Sequence, residues 1–430
     1  MKITGIIAEY NPFHNGHLYQ INSIKQDAND IVIVAMSGDF VQRGTPAIFN
    51  KYVRTQMALL SGADLVLELP SVFATASASY FAKGGVSLLD KLGCVDQICF
   101  GVENTEKEKL DFLSEFLYQT TVNNSEKNNQ HYLYLLEKEI ANGNSYPKAR
   151  EIAINNLFGS EYSVLLSTPN NILALEYMIA LKERNSNMQP FMLKREGADY
   201  HKKNIQTNEY PSATAIRNCV IDYITSLSKE NFNNAFDAME KIEGSIPHEA
   251  YHYIIHNHIL KDFLINDDFS YVLHNKLLTE VSQGFTCYAD VTEDISGKIV
   301  KNINHYQSFS QFCDLLKSKD ITHTRISRCL LHILLNIKEE TYSLIKENDY
   351  TPYAKILGFR KESADVLSVI KKKSAIPLIS KLADASVLLD NYGNHILNQD
   401  ILCSHLYNSA YMNKKKTQFI SEYERQIIKV

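Results

Sequence analysis

Two histidines spaced three apart, in His14-Asn15-Gly16-His17, stand out first as residues able to do chemistry. Imidazole rings donate hydrogen bonds to phosphate oxygens and change charge near neutral pH. The motif lies within GIIAEYNPFHNGHLYQINSI, residues 5–24. An apolar run ends near Glu9, a turn with Asn11, Pro12, Asn15 and Gly16 follows, and a helix is expected from about His17. Such a turn points backbone N–H groups and a helix N-terminus at an anion. Gly16 permits close backbone approach to that ligand. A second cluster lies at Pro211-Ser212-Ala213-Thr214-Ala215-Ile216-Arg217. Ser212 or Thr214 can cap a helix there, and Arg217 on its first turn can neutralise phosphate charge. Between them, the polar stretch 37–54 carries Asp39, Gln42, Arg43, Lys51 and Arg54.

These residues need a scaffold, and the first hundred residues supply its pattern. Apolar, β-branched runs at 2–8, 31–36, 64–69 and 97–100 alternate with helical stretches at 18–28, 51–62 and 76–92. Continuous apolar runs alternating with helices predict a parallel sheet covered on both faces. Residues 106–153 read as a polar, helical excursion. The α/β pattern resumes with a strand at 163–167, a helix at 171–184, a strand at 190–195 and a helix from 214 to about 227. From Pro247 onward amphipathic helices dominate, at 251–266, 271–281, 295–303, 309–317 and 324–335, with a small element in 374–389. The expected fold class is α/β: a Rossmann-like parallel-sheet domain over 1–240, with its insertion at 106–153, then a mainly helical domain over 241–430.

The bulk properties narrow the class. The chain has 430 residues and a net charge of -5, with 45% hydrophobic and 22% charged residues, as in ordinary globular proteins. Seven scattered cysteines include no CxxC pair, which argues against a disulfide framework or a cysteine zinc site. No apolar run is long enough to span a bilayer. The first residues do not form a signal peptide, so the expected location is the cytoplasm. His248-Glu249-Ala250-Tyr251-His252 matches the HExxH spacing of zinc proteases. Pro247 places it in the first turn of a helix, outside the α/β half and with no evident third ligand, so a chance match is the better reading.

His14-Asn15-Gly16-His17 resembles the HxGH signature of the nucleotidylyltransferase superfamily, and Ser212–Arg217 resembles its ISSTxIR-type element. The resemblance implies that the histidines bind ATP phosphates and stabilise charge on the α-phosphate and pyrophosphate, mainly by positioning and electrostatics. Four segments narrow it further: IIAEYNPFHNGH, MSGDFVQRGTPAIFNKYVRTQMAL (36–59), PNNILALEY (169–177) and LKREGADYH (193–201). Together they resemble the bacterial tRNA(Met) cytidine acetate ligase family, with looser likeness at TRISRCLLHILL (324–335) and YAKILGF (353–359). Members use ATP and acetate, through an implied acetyl-adenylate, to acetylate N4 of the wobble cytidine of elongator tRNA(Met).

Carried over by position, the ATP site would comprise Ile7, Ala8, Glu9, Tyr10, Asn11, Pro12 and Phe13, then His14 to His17, then Leu18, Tyr19 and Gln20. Gly101, Asn170, Arg195, Ser212 and Thr214 would complete it. His14, His17 and Arg217 would be the catalytic residues, with Mg²⁺ arriving on ATP and no metal ligand from the protein. Arg43 is a candidate substrate contact. Candidate RNA contacts are Lys371, Lys372, Lys373, Lys414, Lys415 and Lys416, with Arg325 and Arg328 as a smaller group. The alternative is a small-molecule adenylyl- or cytidylyltransferase, against which the large helical half with its basic clusters argues.

Overall fold

The computed structural model describes residues 2–103, 106–122, 126–195 and 211–430. Its main sheet is built from β1 (Ile3–Ala8), β2 (Ile31–Ser37), β3 (Leu65–Leu69), β4 (Gln97–Val102), β5 (Gln189–Lys194), β6 (Ala354–Phe359), β7 (Leu378–Ile379) and β8 (Ile428–Lys429). The order is β8-β6-β3-β2-β1-β4-β5, with β7 beside β6. All neighbours run parallel except β3 and β6. The helices that flank the first five strands are α1 (Asn15–Ile24), α2 (Lys51–Leu60), α3 (Ala78–Lys91), α4 (Pro169–Glu183) and α5 (Ala213–Ser228).

Period-two alternation sorts the side chains of β2 between two cores. Ile33 and Ala35 face a cluster that includes Leu88, Leu89, Leu175 and Ile179 of α3 and α4. Val32, Val34 and Met36 face one built with Ile21, Val53, Met57 and Ile216 of α1, α2 and α5. Both faces are thus buried, which is why the strand sequences are continuously apolar. The chain steps outward from β1 through β2 to β3, then returns to β1's other side for β4 and β5. That reversal opens a crevice beyond the carboxyl ends of β1 and β4, the usual ligand position in open α/β sheets.

The residues expected to form a strand at 163–167 are helical instead: Ser160–Ser163 is α-helix and Val164–Leu166 is 3₁₀-helix. One helical turn buries Leu165 and Leu166 and leaves Val164 outside. A run this short carries no decisive period. The division expected near residue 240 is not a division of the sheet. The later half does supply helices, notably α6 (His323–Leu335) and α7 (Asn391–Lys415). It also sends β6 into the sheet between β3 and β8, with five of its six residues buried.

A buried ion network welds these halves together. Lys51 Nζ lies 2.7 Å from Glu68 Oε1, 2.5 Å from Glu422 Oε1 and 2.7 Å from Ser404 Oγ. Lys355 Nζ lies 2.7 Å from the other oxygen of Glu68 and 2.8 Å from Glu422. Lys51 is fully buried and the two glutamates are 1% exposed, so removing one partner strands charge in the interior.

Lys51→Met should therefore lower the unfolding free energy by ~3–5 kcal/mol with little change in m-value, as read by urea titration. Burial pushes the Glu422 carboxyl up, but Lys51 and Lys355 outweigh it and hold the group below the usual carboxylate range. Its contribution is complete above the unfolded glutamate pKa of about 4.3 and is lost as pH falls below that. Glu422→Gln should flatten the acid limb of a stability-versus-pH curve; an unchanged limb would assign it to other carboxylates.

Candidate active site

A cleft of about 250 Å³ opens at the carboxyl ends of β1, β4 and β5. Its lining includes Ile7, Ala8, Glu9, Tyr10, Asn11, His14, Gly16, His17, Tyr19 and Gln20 from β1 and α1. Gly101, Asn170, Arg195, Ser212, Thr214, Arg217 and Arg43 also face it. Pro12, Phe13, Asn15 and Leu18, expected at the same site, are not part of that lining. Phe13 is a core residue, and Asn15 Nδ2 donates to the Gly244 carbonyl at 3.0 Å.

His14 caps α1. Its Nδ1 accepts from the Gly16 amide at 3.1 Å, and His17 Nδ1 accepts from the His14 amide at 3.2 Å. The rings stack with centroids 3.7 Å apart. A neutral imidazole that accepts at Nδ1 carries its proton at Nε2. The reciprocal cap therefore sets one tautomer in both rings and leaves each with an Nε2–H donor. Burial, then Arg195 and Arg217, push the His14 pKa down to about 3. Loss of hydration, then His14 and Arg195, hold His17 well below its usual value. Both rings are neutral donors at physiological pH.

The arginines converge from separate elements. Arg217 Nη1 donates to the Asn11 carbonyl at 2.7 Å and Nη2 to Thr214 Oγ1 at 2.9 Å, bracing the turn from α5. Ser212 Oγ caps that helix by accepting from the Ala215 amide at 3.2 Å. Arg195 follows β5, its amide bonded to the Val102 carbonyl at 3.0 Å. A Cβ on Gly101 would come within 3.1 Å of the Arg195 stem, so glycine there lets the arginine cross β4. Asn170 is the first-turn residue of α4, where its amide donates to Glu103; Thr168 Oγ1 and the Asn171 amide bind the same carboxylate at 3.0 and 3.1 Å. Gln20 Nε2 donates to the Cys99 carbonyl at 3.1 Å, tying α1 to β4.

Arg43 sits on the rim, on the turn between the short strands Phe40–Val41 and Thr45–Pro46. Gly44 next to it has φ +75° and packs against the backbone of Ser327 and Arg328 in α6, where a Cβ would meet Arg328 N at 2.4 Å. Lys51 and Arg54 lie below that rim, buried, as structural cations. Sequence reasoning missed the aromatic wall of Phe81, Phe100 and Tyr177, and Lys194. Tyr177 ends the PNNILALEY segment and Lys194 adjoins Arg195, so both lay beside quoted motifs. Phe81 carries no local signal. Most of LKREGADYH (193–201) lies outside the described residues.

None of the six candidate lysines lines the cleft. Lys371, Lys372 and Lys373 are exposed in the last turn of the helix Asp365–Lys373. Lys414 pairs with Asp268 at 2.9 Å and Lys415 with Asp262 at 3.5 Å; Lys416 Nζ donates to Asn413 at 3.2 Å. Arg328 pairs with Asp290 at 3.1 Å. His248 and His252 lie on the exposed face of the helix His248–His256, with Nε2 atoms 2.9 Å apart. No cluster of three or more metal-type ligands occurs among the described residues.

A family model described as HIGH Nucleotidyl Transferase matches residues 1–422. Similar proteins named tRNA(Met) cytidine acetate ligase include one from Acetivibrio thermocellus, 35% identical over 100% of both chains. Another, from Clostridium perfringens, is 37% identical over 95% of both. This chain belongs to that family. Among solved structures, Thermotoga maritima TmcAL in its apo form superposes with a TM-score of 0.87 at 26% identity, covering 100% of both chains. The same protein bound with alpha-thio ATP gives 0.84 at 27% identity, again over 100% of both. The α/β fold expected from the sequence and the family resemblance are both borne out. No single helix among the described residues is long and apolar enough to cross a membrane.

The reciprocal cap makes a spectroscopic prediction. In the nucleotide-free protein, the His14 and His17 ring signals should show the Nε2–H tautomer and no titration from pH 8 down to about 5 by ¹⁵N–¹H NMR. A midpoint near 6.5 for either ring would contradict the geometry.

Proposed function

We propose that this chain activates acetate with ATP, as acetyl-adenylate, and then acetylates N4 of the wobble cytidine of elongator tRNA(Met). The observation that carries the proposal is the convergence of two neutral Nε2–H donors with Arg195 and Arg217 on one cleft at the β1–β4 switch point, in a chain of this family. Acetate attacks the α-phosphorus of ATP and pyrophosphate leaves. The negative charge rises on phosphate oxygens, where fixed donors out of bulk water act most strongly. His14, His17 and Arg217 supply them, with Arg195 beside them. Ile7, Ala8, Tyr10, Asn11, Gly16, Tyr19, Gln20, Gly101, Asn170, Ser212 and Thr214 form the nucleotide site around that centre, partly by backbone; the Glu9 side chain shares the cleft, but its charge keeps it out of contact with the triphosphate. Mg²⁺ would enter on the triphosphate, whose charge it offsets.

The cytidine amine then attacks the mixed anhydride, a step governed by proximity. Arg43 on the rim faces this second substrate. Residues 241–430 provide the tRNA-binding surface, with Lys371–Lys373 the best exposed of the basic runs. A tRNA substrate supports the expected cytoplasmic location.

Incubation with ATP, labelled acetate and total tRNA should place label in tRNA only when all three are present; no incorporation sinks the ligase reading. His17→Ala should cut acetate-dependent pyrophosphate release by ~10²–10³-fold with unchanged circular dichroism, and undiminished release would remove His17 from the mechanism. Replacing Lys371, Lys372 and Lys373 together by alanine should raise the KM for tRNA and lessen its salt dependence while sparing pyrophosphate release. An unaltered KM would move the tRNA surface elsewhere.

A further inference from the structure

The side chains around the cleft carry a charge imbalance that ATP and acetate do not explain. His14, His17, Arg43, Lys194, Arg195 and Arg217 face it, and all of these suit anions. Glu9 is the only carboxylate among the described residues that line it. A fixed negative charge there repels both the triphosphate and acetate, so the reaction's first step gives it no use.

The structure nevertheless holds Glu9 firmly. It follows the last residue of β1, and its carbonyl accepts from the buried Arg54 guanidinium at 2.6 Å. Its side-chain Oε1 accepts from the Gln42 amide at 3.0 Å, which fixes the carboxylate against the rim hairpin that carries Arg43. Oε2 takes no hydrogen bond from any other described residue. Tyr177 lines the same cleft, and its hydroxyl is held above its usual range by burial and then by the Glu9 charge. The carboxylate thus lines the cleft with one oxygen anchored on the rim hairpin and the other not hydrogen-bonded by the described residues.

The second step of the proposed reaction does need such a group. The exocyclic amine of cytosine is a hydrogen-bond donor, and carboxylates are its natural acceptors. Its lone pair is delocalised into the ring, so it is a poor nucleophile until it is oriented. Once the C–N bond forms, the nitrogen is strongly acidic and must lose a proton. A base as weak as an ordinary carboxylate suffices for that loss.

We propose that Glu9 is the acceptor for the cytidine: its carboxylate receives the N4 amine, orients it towards the acetyl carbon and takes its proton. N4 attacks the carbonyl carbon of acetyl-adenylate and a C–N bond forms. The C–O bond to the phosphate breaks, its electron pair staying on the AMP oxygen. The N4 proton passes to Glu9 and then to solvent, leaving N4-acetylcytidine, AMP and one proton. This assignment rests on the ligase reading and adds to it the group that handles the base.

The decisive comparison separates the two half-reactions in Glu9→Gln, which keeps an oxygen for the Gln42 amide and removes the charge. Acetate-dependent exchange of pyrophosphate into ATP reads the first step. Single-turnover transfer from supplied acetyl-adenylate to tRNA reads the second. Exchange should stay near the wild-type rate while transfer falls by ~10²–10⁴-fold. Glu9→Asp, which retains the charge but withdraws it by one methylene, should give intermediate transfer with intact exchange.

Transfer that survives in Glu9→Gln overturns the assignment. So does a parallel loss of both steps in either variant, or a loss of exchange relieved by extra Mg²⁺, since each would place Glu9 in the nucleotide site. If the wild-type protein shows acetate-dependent exchange but no transfer to tRNA, the cytidine role is refuted while adenylate formation stands. Absence of acetate-dependent exchange from the wild type overturns the ligase reading itself and takes this assignment with it.

Discussion

The cleft depends on one buried guanidinium. Parallel strands end in carbonyls that point towards the ligand position, and those carbonyls must be satisfied where water is scarce. Arg54 does this for the strands at the centre of the sheet. Its Nε donates to Phe49 O at 2.9 Å, Nη1 to Glu9 O at 2.6 Å and Ser37 O at 3.0 Å, and Nη2 to Gly38 O. The ends of β1 and β2 and the approach to α2 are thus clamped to one rigid, planar fork. The cation sits in the first turn of α2, beside Lys51, where a helix dipole disfavours positive charge. No acidic residue of that turn compensates. Compensation comes from Asp39, whose Oδ1 accepts from the Lys51 amide at 2.9 Å, and from Glu68 and Glu422 beneath. The C-terminal segment is therefore part of the structural support of the N-terminal site.

Above that clamp the cleft is arranged for a ligand that brings its own negative charge. Two histidines stacked on each other and flanked by arginines could not both be protonated at a tolerable cost. Their mutual capping hydrogen bonds resolve the conflict by holding both neutral with Nε2–H outward. Polarity is supplied without adding charge to an already cationic site, and no reorganisation is needed when phosphate arrives. The arginines carry the formal charge and brace the turn at the same time, Arg217 through the Asn11 carbonyl.

Much of this was legible in the chain. The strands β1 to β5 lie where continuous apolar runs put them, because a parallel sheet buried on both faces needs no polar alternation. The turn after β1 announced itself by its histidines and glycine, and the helix that positions Arg217 by its serine cap. The run at 163–167 was misread because so few apolar residues serve a helical turn as well as a strand. The segment Ala354–Phe359 was not read as a strand at all: its lysine looks surface-exposed until its partners, Glu68 and Glu422, are known. Likewise Lys51 and Arg54 could not be sorted from solvated charges, since burial of a charge is visible only with the group that neutralises it.

Local sequence thus determined what is local: strand and helix periods, the capped phosphate turn, the motif spacing and, through them, the family. Tertiary structure alone decided three further things. It brought Arg195 and Arg217 to the histidines from elements about two hundred residues away. It inserted the C-terminal strand β6 antiparallel beside β3. It turned Glu9, one acidic residue among many in the sequence, into the single carboxylate among the described residues of a cationic cleft. The reason is common to all three. Long-range placement is set by which buried charges and carbonyls can satisfy one another, and those pairings join residues between which sequence spacing carries no signal.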